Sequence, residues 1–293
     1  MYITLNEYLK KEFGTKVYKL ALSAATTCPN RDGTVGKGGC IFCGADGSGS
    51  FAAPVTMSVT EQIEIAKARI KTKTHAEKFI AYFQSFTNTY APIDYLERVF
   101  FEAISHPQIA ILSIATRPDC LPIEVLELLN RLNRIKPVWV ELGLQTIHVE
   151  TAKYIRRGYP LSCYDTAVEN LNKIGVKVIP HMIIGLPRET EEMMVKTAEY
   201  IGKSGAQGIK FQLLHVLQGT DLEKDYLAGK FRCLTLEEYT NILIKCLKVL
   251  PDGMVVHRIT GDGDKKKLTA PLWSGDKKKV LNYINKELKK ADL

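Results

Sequence analysis

Residues 17–43 have the sequence VYKLALSAATTCPNRDGTVGKGGCIFC, in which an apolar segment leads into a glycine-rich loop with three cysteines. The segment Val17–Leu22 predicts a short β-strand. Cys28, Cys40 and Cys43 follow the carboxyl end of this strand. A strand that ends in chemically active side chains is the unit from which we predict the rest of the fold.

Predicted strands and helices alternate along the chain. Ser58-Val-Thr-Glu61 predicts a capping box that opens a helix to about Thr74, and Asp94 is predicted to cap the next helix. The other predicted strands span 79–83, 109–115, 138–142, 176–184, 208–214 and 254–259. The other predicted helices span 122–135, 149–156, 162–174, 189–203 and 236–250. Such alternation, with many apolar and β-branched strands, indicates βα units around a parallel sheet buried on both faces.

Polar residues follow the carboxyl ends of the predicted strands. They are the cysteine loop, 84–88, 116–119, 141–145, 181–185, His215 and 257–258. Alternation alone fits a doubly wound sheet as well as a barrel, but polar strand ends are typical of a barrel active site. Six βα units are too few for a complete barrel of eight. We therefore predict an α/β fold with a partial (βα)6 TIM-like barrel at 17–250, an N-terminal helix at 1–16 and a small, basic C-terminal extension at 251–293.

The composition is that of an ordinary globular protein. Hydrophobic residues make up 45% and charged residues 25% of the 293 residues. No apolar run approaches the length of a membrane span, and the first residues, MYITLNEYLKKEFG, do not resemble a signal peptide. We therefore expect no membrane partner and a cytoplasmic location, where the seven cysteines are reduced thiols or metal ligands rather than disulfides.

Positive charge is concentrated near the C-terminus. The net charge is +8, and the residues from Lys245 onward include twelve Lys and Arg but only six Asp and Glu. Two lysine triplets, 265–267 and 277–279, lie in this part. Such a region is typical of a protein that contacts RNA phosphates, and equally of a helix face kept soluble by lysine.

Three cysteines in one loop indicate a metal site, because thiolates close together need a cation. Four interpretations compete. A structural zinc site takes four ligands in two close pairs, and the remaining cysteines, Cys120, Cys163, Cys233 and Cys246, are each isolated. A redox Cys-x-x-Cys pair leaves Cys28 unexplained, and an electron-transfer cluster prefers four cysteines. A [4Fe–4S] cluster held by three cysteines, with one iron left for another ligand, accounts for all three.

The cysteine loop resembles the radical S-adenosylmethionine (radical SAM) motif, since CIFC at 40–43 has an aromatic residue directly before its last cysteine. The gap between Cys28 and Cys40 is longer than the commonest spacing and is similar to the expanded loop of the elongator catalytic subunit. Seven stretches resemble the YhcC/YtqA family of radical SAM proteins. In order, they are YFQSFTNTYAP, TRPDCL, VWVELGLQT, IRRGYP, HMIIGLPRET, HRITGDG and APLWS.

The resemblance implies two cofactors, a [4Fe–4S] cluster and S-adenosylmethionine (SAM), and a one-electron donor such as flavodoxin or ferredoxin. In the superfamily, the reduced cluster cleaves SAM to methionine and a 5′-deoxyadenosyl radical, which removes hydrogen from the substrate. The implied cluster ligands are Cys28, Cys40 and Cys43. The residues implied to bind SAM are Phe42, Gln84, Thr87, Asn88, Thr116, Glu141, Gln145, Arg157, Gly185 and His215. Besides the cysteines, those implied in catalysis are Arg117, His257 and Arg258.

Several of these residues also have a structural interpretation. Phe42 shields the cluster or is a core aromatic residue, and Gln84 and Thr87 bind the methionyl amine of SAM or form a turn. Arg117 pairs with a carboxylate or phosphate of a ligand, or with Asp119.

The same applies to the later positions. Glu141 lies in the apolar stretch VWVELGL, where a carboxylate is costly unless paired, so a contact with the SAM ribose is favoured. Arg157 binds the SAM carboxylate or complements a helix dipole, and Gly185 lets adenine approach the backbone or is a turn glycine. Substrate-contacting and structural roles are both open for the remaining group, which comprises His181, His215, His257, Arg258 and Asp262.

The YtqA branch of this resemblance implies a tRNA substrate. The implied reaction removes the carboxymethyl part of 5-carboxymethylaminomethyluridine at the wobble position and leaves the 5-aminomethyl form. Two other functions stay open, namely a radical SAM enzyme that acts on a protein or small metabolite, and a non-enzymatic iron–sulfur or zinc protein. Salt-sensitive RNA binding and cleavage of SAM under strong reductant distinguish the three.

Overall fold

The computed structural model describes residues 2–45, 47, 56–71, 76–261 and 263–293. Its strands are β1 (Ile3–Thr4), β2 (Val17–Leu22), β3 (Lys78–Phe83), β4 (Ile109–Thr116), β5 (Val138–Gln145), β6 (Lys177–Ile184), β7 (Gly208–Leu213), β8 (Val216–Leu217), β9 (Val255–Arg258) and β10 (Leu268–Ala270). Its α-helices are α1 (Leu5–Phe13), α2 (Pro29–Asp32), α3 (Val59–Ile70), α4 (Ile93–Ser105), α5 (Ile123–Asn133), α6 (Val149–Tyr154), α7 (Leu161–Lys173), α8 (Glu191–Lys203), α9 (Asp221–Leu227), α10 (Leu236–Lys248) and α11 (Lys277–Lys290).

Eight of the strands form one parallel sheet that curls into a half barrel. Their order across the sheet is β1-β9-β7-β6-β5-β4-β3-β2. The six strands from β2 to β7 are each followed by helix, and the main hydrophobic core lies between the sheet and these helices. β8, which directly follows β7, forms a separate antiparallel pair with β10, which follows β9 in the chain. The carboxyl ends of the parallel strands therefore meet at one end of the half barrel.

Side chains inside the half barrel form three layers, because alternate residues of a strand point inward. At the amino end, Leu9 of α1 packs on a layer of Ile80, Ile111, Trp139 and Ile179. The middle layer is polar and consists of Lys19, Tyr82, Ser113, Glu141, His181 and Lys210. The layer at the carboxyl end comprises Gln84, Ala115, Gly143, Ile183 and Gln212. An apolar layer thus closes one end, and the polar side chains face the other.

The C-terminal helix α11 is attached by a narrow apolar stripe. Val280, Ile284 and Leu288, spaced four residues apart, are buried, and lysines occupy much of the remaining surface. No helix in the described part of the chain combines the length and the apolar character that a membrane crossing requires.

The predicted α/β fold and partial barrel are confirmed. Sequence analysis missed β1, which extends the sheet beside β9, as well as the β8–β10 pair and α9. The domain divisions at residues 16 and 250 stay predictions, and β9, which lies beyond residue 250, is part of the main sheet.

Of the two predicted helix caps, one is confirmed and one is wrong. Ser58 and Glu61 form the predicted capping box at the start of α3, whereas the predicted end of this helix, Thr74, lies outside the described residues. Asp94 does not cap α4, because Pro92 occupies the cap position and Asp94 lies in the first turn.

Candidate active site

The three loop cysteines line one cavity of about 140 Å³ at the carboxyl end of the half barrel. Cys28 lies directly before α2, and the backbone N–H of Cys43 donates to the carbonyl of Cys40 over 3.0 Å. Gly38 and Gly39 have φ angles of 79° and 85°, which let the chain turn just before Cys40. The glycine-rich loop thus brings Cys28 to the Cys40–Cys43 turn.

Asn30 and Arg31 hold this loop in place. Nδ2 of Asn30 donates to the carbonyl of Arg156 over 2.5 Å and lies 3.5 Å from Sγ of Cys40. Nη2 of Arg31 donates to the carbonyl of Cys43 over 3.3 Å. These bonds fix the cysteine positions through side chains of the loop itself.

The three loop cysteines are a donor set that suits an iron–sulfur cluster. A hydrogen bond from Cys43 lowers the pKa of Cys40 to about 7, against the raising effect of burial, and the same bond raises the pKa of Cys43. Among the described residues, no group of three His, Cys, Asp or Glu side chains is placed to hold one ion. Three thiols on one cavity wall suit a cluster in which separate irons take separate cysteines.

Most residues predicted to bind SAM line the same cavity as the cysteines. The group comprises Phe42, Gln84, Thr87, Thr116, Glu141, Gln145 and Arg157, and Arg117 lies with them. Two lining residues, Phe86 and Gln145, have φ angles of 62° and 64°, which are uncommon outside glycine. Backbone strain of this kind clusters at functional sites. Contacts of these residues with SAM stay predictions.

The two arginines of this cavity are bound within the protein. Nε and Nη2 of Arg117 donate to the two carboxylate oxygens of Asp119 over 2.8 and 2.6 Å. Arg117 therefore forms the ion pair with Asp119 that was its predicted structural role. Arg157 donates to three backbone carbonyls, those of Leu144, Thr146 and Tyr159. A ligand carboxylate would compete with these partners for either guanidinium group.

The carboxylate of Glu141 is the centre of a buried polar network beneath the cavity. Its Oε1 accepts from Lys19 over 2.6 Å and from Ser113 over 3.0 Å. Its Oε2 accepts from His181 over 2.6 Å and from Lys210 over 2.7 Å. Burial alone raises the pKa of Glu141, but Lys19, Lys210 and His181 hold it well below its usual range. Four donors occupy the acceptor positions of this carboxylate, so a SAM ribose would have to displace one of them.

His181 and Lys210 are both pushed towards their neutral forms. Burial, reinforced by Lys210, lowers the pKa of His181 to about 4. Nδ1 of His181 accepts from Nε2 of Gln212 over 3.0 Å, so its Nε2 carries the proton donated to Glu141. Burial also lowers the pKa of Lys210 to about 7, with Glu141 opposing the change.

A second cavity, of about 130 Å³, adjoins the first. The two share lining residues, namely Phe42, Cys43, Gly47, Gln84, His181, Ile183 and Gln212. The predicted residues His215 and Arg258 line only the second cavity, together with Tyr82 and Lys210. These two predicted residues therefore lie beside the cysteine cavity rather than in it.

Asn88 and Gly185 do not line either cavity. Nδ2 of Asn88 donates to the carbonyls of Phe83 and Ala115, which joins the ends of β3 and β4. Gly185 has a φ of 94°, and a methyl group on it would lie 3.1 Å from Cδ1 of Leu234. Both residues have packing contacts in the structure, and their contacts with SAM stay predictions.

His257 lies near the opposite end of the half barrel. It lines a cavity of about 320 Å³ at the amino end, where its ring centroid is 5.0 Å from that of Trp139. The structure therefore does not bring this predicted catalytic residue to the cysteines. Asp262, predicted beside it, lies outside the described residues.

Sequence analysis missed Lys19, Tyr82 and Lys210 as residues of the site. Each is a polar side chain among apolar neighbours in its strand, VYKLAL, KFIAYF or GIKFQL. Two features of the sequence could have identified them. Inward and outward positions alternate along each strand, and a buried Glu141 needs cationic partners.

Comparison with known proteins places this architecture in a family. Residues 26–201 match the family model described as the radical SAM superfamily, and residues 206–290 match that of the Radical_SAM C-terminal domain. The chain belongs to the radical SAM superfamily. YtqA of Bacillus subtilis (strain 168) is 46% identical over 287 residues, which cover 98% of this chain and 89% of YtqA. The predicted membership of the YhcC/YtqA family is confirmed, and the protein is a radical SAM enzyme.

Two more distant likenesses extend the comparison. The tRNA uridine(34) acetyltransferase of Methanocaldococcus jannaschii is 28% identical over 165 residues, which cover 55% of this chain and 30% of that protein. The solved structure of Methanocaldococcus infernus Elp3 with an N-terminal deletion has a TM-score of 0.69 at 19% identity and covers 92% of this chain and 63% of that chain. The structural likeness shows a shared fold.

Proposed function

We propose that this radical SAM enzyme acts on the wobble uridine of tRNA and converts its 5-carboxymethylaminomethyl group to the 5-aminomethyl form. The observation that carries the proposal is the junction of two cavities, one lined by all three cysteines and the other by Cys43 alone among them. The first is suited to the cofactors, and the second provides space for a substituent on the base. Likeness to a protein named tRNA uridine(34) acetyltransferase supports the choice of substrate.

In this proposal, Cys28, Cys40 and Cys43 hold the [4Fe–4S] cluster, and the other lining residues of their cavity contact SAM. When bound, the cluster and SAM supply radical chemistry that begins with removal of a hydrogen atom from the substrate. The half barrel surrounds the junction of the cavities and limits the access of water to it. A one-electron donor such as flavodoxin or ferredoxin provides the electron.

The surface charge of α11 supports an RNA partner. Its apolar stripe faces the protein, and its lysines are exposed at positions 277, 278, 279, 286, 289 and 290. Lysines on an exposed helix can pair with RNA phosphates, and such contacts do not depend on the base sequence.

Anaerobic reconstitution with iron and sulfide, followed by incubation with SAM, dithionite and total tRNA, tests the proposal. We expect 5′-deoxyadenosine to form and mass spectrometry to show conversion of the wobble nucleoside. Cys40→Ser should abolish both products, whereas Cys233→Ser, which changes a cysteine outside both cavities, should retain them. Formation of 5′-deoxyadenosine with an unchanged nucleoside pool would refute the tRNA substrate but not the enzyme class.

A further inference from the structure

Lys210 offers an unused hydrogen-bond donor to the second cavity. Its side chain is 3% exposed and lines that cavity. An ammonium group has three N–H donors. Within the described part of the chain, Nζ of Lys210 has two partners, Oε2 of Glu141 at 2.7 Å and Oη of Tyr82 at 2.9 Å. The third N–H is left for a molecule that enters the cavity.

The charges around Lys210 favour an anion as that molecule. Lys19 and Lys210 share one carboxylate, that of Glu141, so one ammonium has no counterion of its own. Burial lowers the pKa of Lys210, and the nearby charges of Lys19 and Arg258 lower it further. Asp264 lines the outer part of the same cavity, where its Oδ1 accepts the backbone N–H of Lys266 over 3.0 Å. A second anion beside Lys210 would balance the buried charge.

We propose that Lys210 binds a carboxylate at the end of the substituent on which the enzyme acts. A phosphate of an RNA backbone cannot reach this ammonium, because the side chain lies inside the half barrel and is almost fully buried. A carboxylate on a flexible substituent of a base can enter the cavity. The inference deepens the proposed function and rests on it for the identity of the substrate. The carboxymethylaminomethyl group ends in a carboxylate that the aminomethyl product lacks, so Lys210 would distinguish substrate from product.

A small-molecule titration tests Lys210 without RNA or cofactors. Full-length protein is labelled with 13C at lysine Cε, and the chemical shifts of these carbons are followed as pH is changed. The titration is done with N-methylglycine, which carries the carboxymethylamino group, or with its neutral amide. Lys210→Arg assigns the resonance. A bound carboxylate should raise the titration midpoint of Lys210 by about one pH unit or more, and the amide should leave it unchanged. A midpoint that N-methylglycine does not move overturns the proposal.

A binding experiment with RNA separates this inference from the proposed function. Anticodon stem-loops with 5-carboxymethylaminomethyluridine or 5-aminomethyluridine are bound to wild-type protein, Lys210→Met and Lys177→Met. We expect wild type to prefer the first RNA by about tenfold or more, and Lys210→Met to lose this preference. Lys177→Met is the control, because Lys177 contacts Tyr8 near the amino end of the half barrel and lines neither of these two cavities.

The two experiments fail in different ways. If N-methylglycine shifts Lys210 but wild type binds both stem-loops equally, the carboxylate site is supported and the tRNA substrate fails. If Lys210→Met keeps the wild-type preference, the role of Lys210 is overturned while the tRNA substrate stands. Unfolding curves of both lysine variants show that the compared proteins are folded.

Discussion

Nε2 of His181 and Nζ of Lys210 lie 2.6 and 2.7 Å from the same oxygen, Oε2 of Glu141. Donors from the neighbouring strands β6 and β7 thus meet on a side chain of β5. Lys19 of β2 reaches the other oxygen of Glu141 across the interior. One carboxylate therefore joins distant strands of the half barrel, in addition to the backbone bonds between neighbouring strands.

Glu141→Gln should destabilise the protein strongly. Loss of the negative charge leaves two lysines without a counterion in the interior, which we expect to lower the free energy of unfolding by about 3–5 kcal/mol. Glu97→Gln is the control, because the Glu97–Arg131 pair is exposed, with side chains 39% and 51% accessible. The control should lose much less stability than Glu141→Gln, because an exposed ion pair contributes little. Urea unfolding measures both, and equal losses would show that the network does not stabilise the fold.

His181 should make the free energy of unfolding depend on pH within a defined range. Burial lowers the pKa of folded His181 from 6.5 to about 4, so the unfolded chain binds this proton first as pH falls. The contribution of His181 is therefore complete above pH 6.5 and is lost as pH falls towards 4. His181→Gln should reduce the wild-type loss over this window by up to about 3 kcal/mol. Urea midpoints across the window test this, with His106→Gln, outside the half barrel, as control; parallel wild-type and His181→Gln curves would contradict it.

Gly158→Ala should disturb the cysteine loop. Its φ is 84°, and an added methyl group would lie 2.9 Å from Cγ1 of Val35 and 3.2 Å from Oδ1 of Asn30. Gly253, with a φ of 80° and open space around it, provides a control with the same backbone strain. Both alanine variants should lose about 1–2 kcal/mol of stability, but only Gly158→Ala should also incorporate less iron on reconstitution. Equal iron contents would mean that the packing of Gly158 on Asn30 and Val35 does not help to position the cysteines.

The exposed lysines of α11 should contribute to RNA affinity. We expect a triple change of Lys278, Lys286 and Lys289 to alanine to weaken tRNA binding for all sequences alike. The slope of log affinity against log salt should become shallower by up to about 3, since each lost phosphate contact removes about 0.9. The matched control replaces three exposed lysines on other helices, namely Lys173, Lys196 and Lys203. Similar affinities and slopes for the two variants would exclude α11 as an RNA surface.

Local patterns in the sequence account for much of the fold. The predicted strand Val17–Leu22 has the bounds of β2, because its apolar pattern is set within the strand itself. Ser58 was predicted as a cap from residues three positions apart, and it is one. The two residues of β1 carry no such pattern, since their strand exists through its pairing with β9 at the far end of the chain. A strand that a distant partner defines is therefore missed from the sequence, whereas α9 is a local helix that was missed as well.

The site shows the same division. The cysteines are close together in sequence and were predicted as one group, which lines one cavity. Lys19 and Lys210 lie 122 and 69 residues from Glu141, and only the register of the half barrel brings them to it. Asn88 and Gly185 lie at strand ends, as predicted. However, the side chain of Asn88 bonds to the backbone of Phe83, and the Cα of Gly185 faces Leu234. Sequence position identifies the end of the barrel, while register decides which side chains face its interior.

The most direct test concerns Cys28, Cys40 and Cys43 as joint ligands of one [4Fe–4S] cluster. The measurement is iron and acid-labile sulfide per chain, with Mössbauer spectra, for anaerobically purified wild type and the three single alanine variants. We predict four irons and four sulfides in wild type and loss of the cluster in each variant. Zinc in place of iron in wild type, or an intact four-iron cluster in any of the three variants, would contradict this assignment.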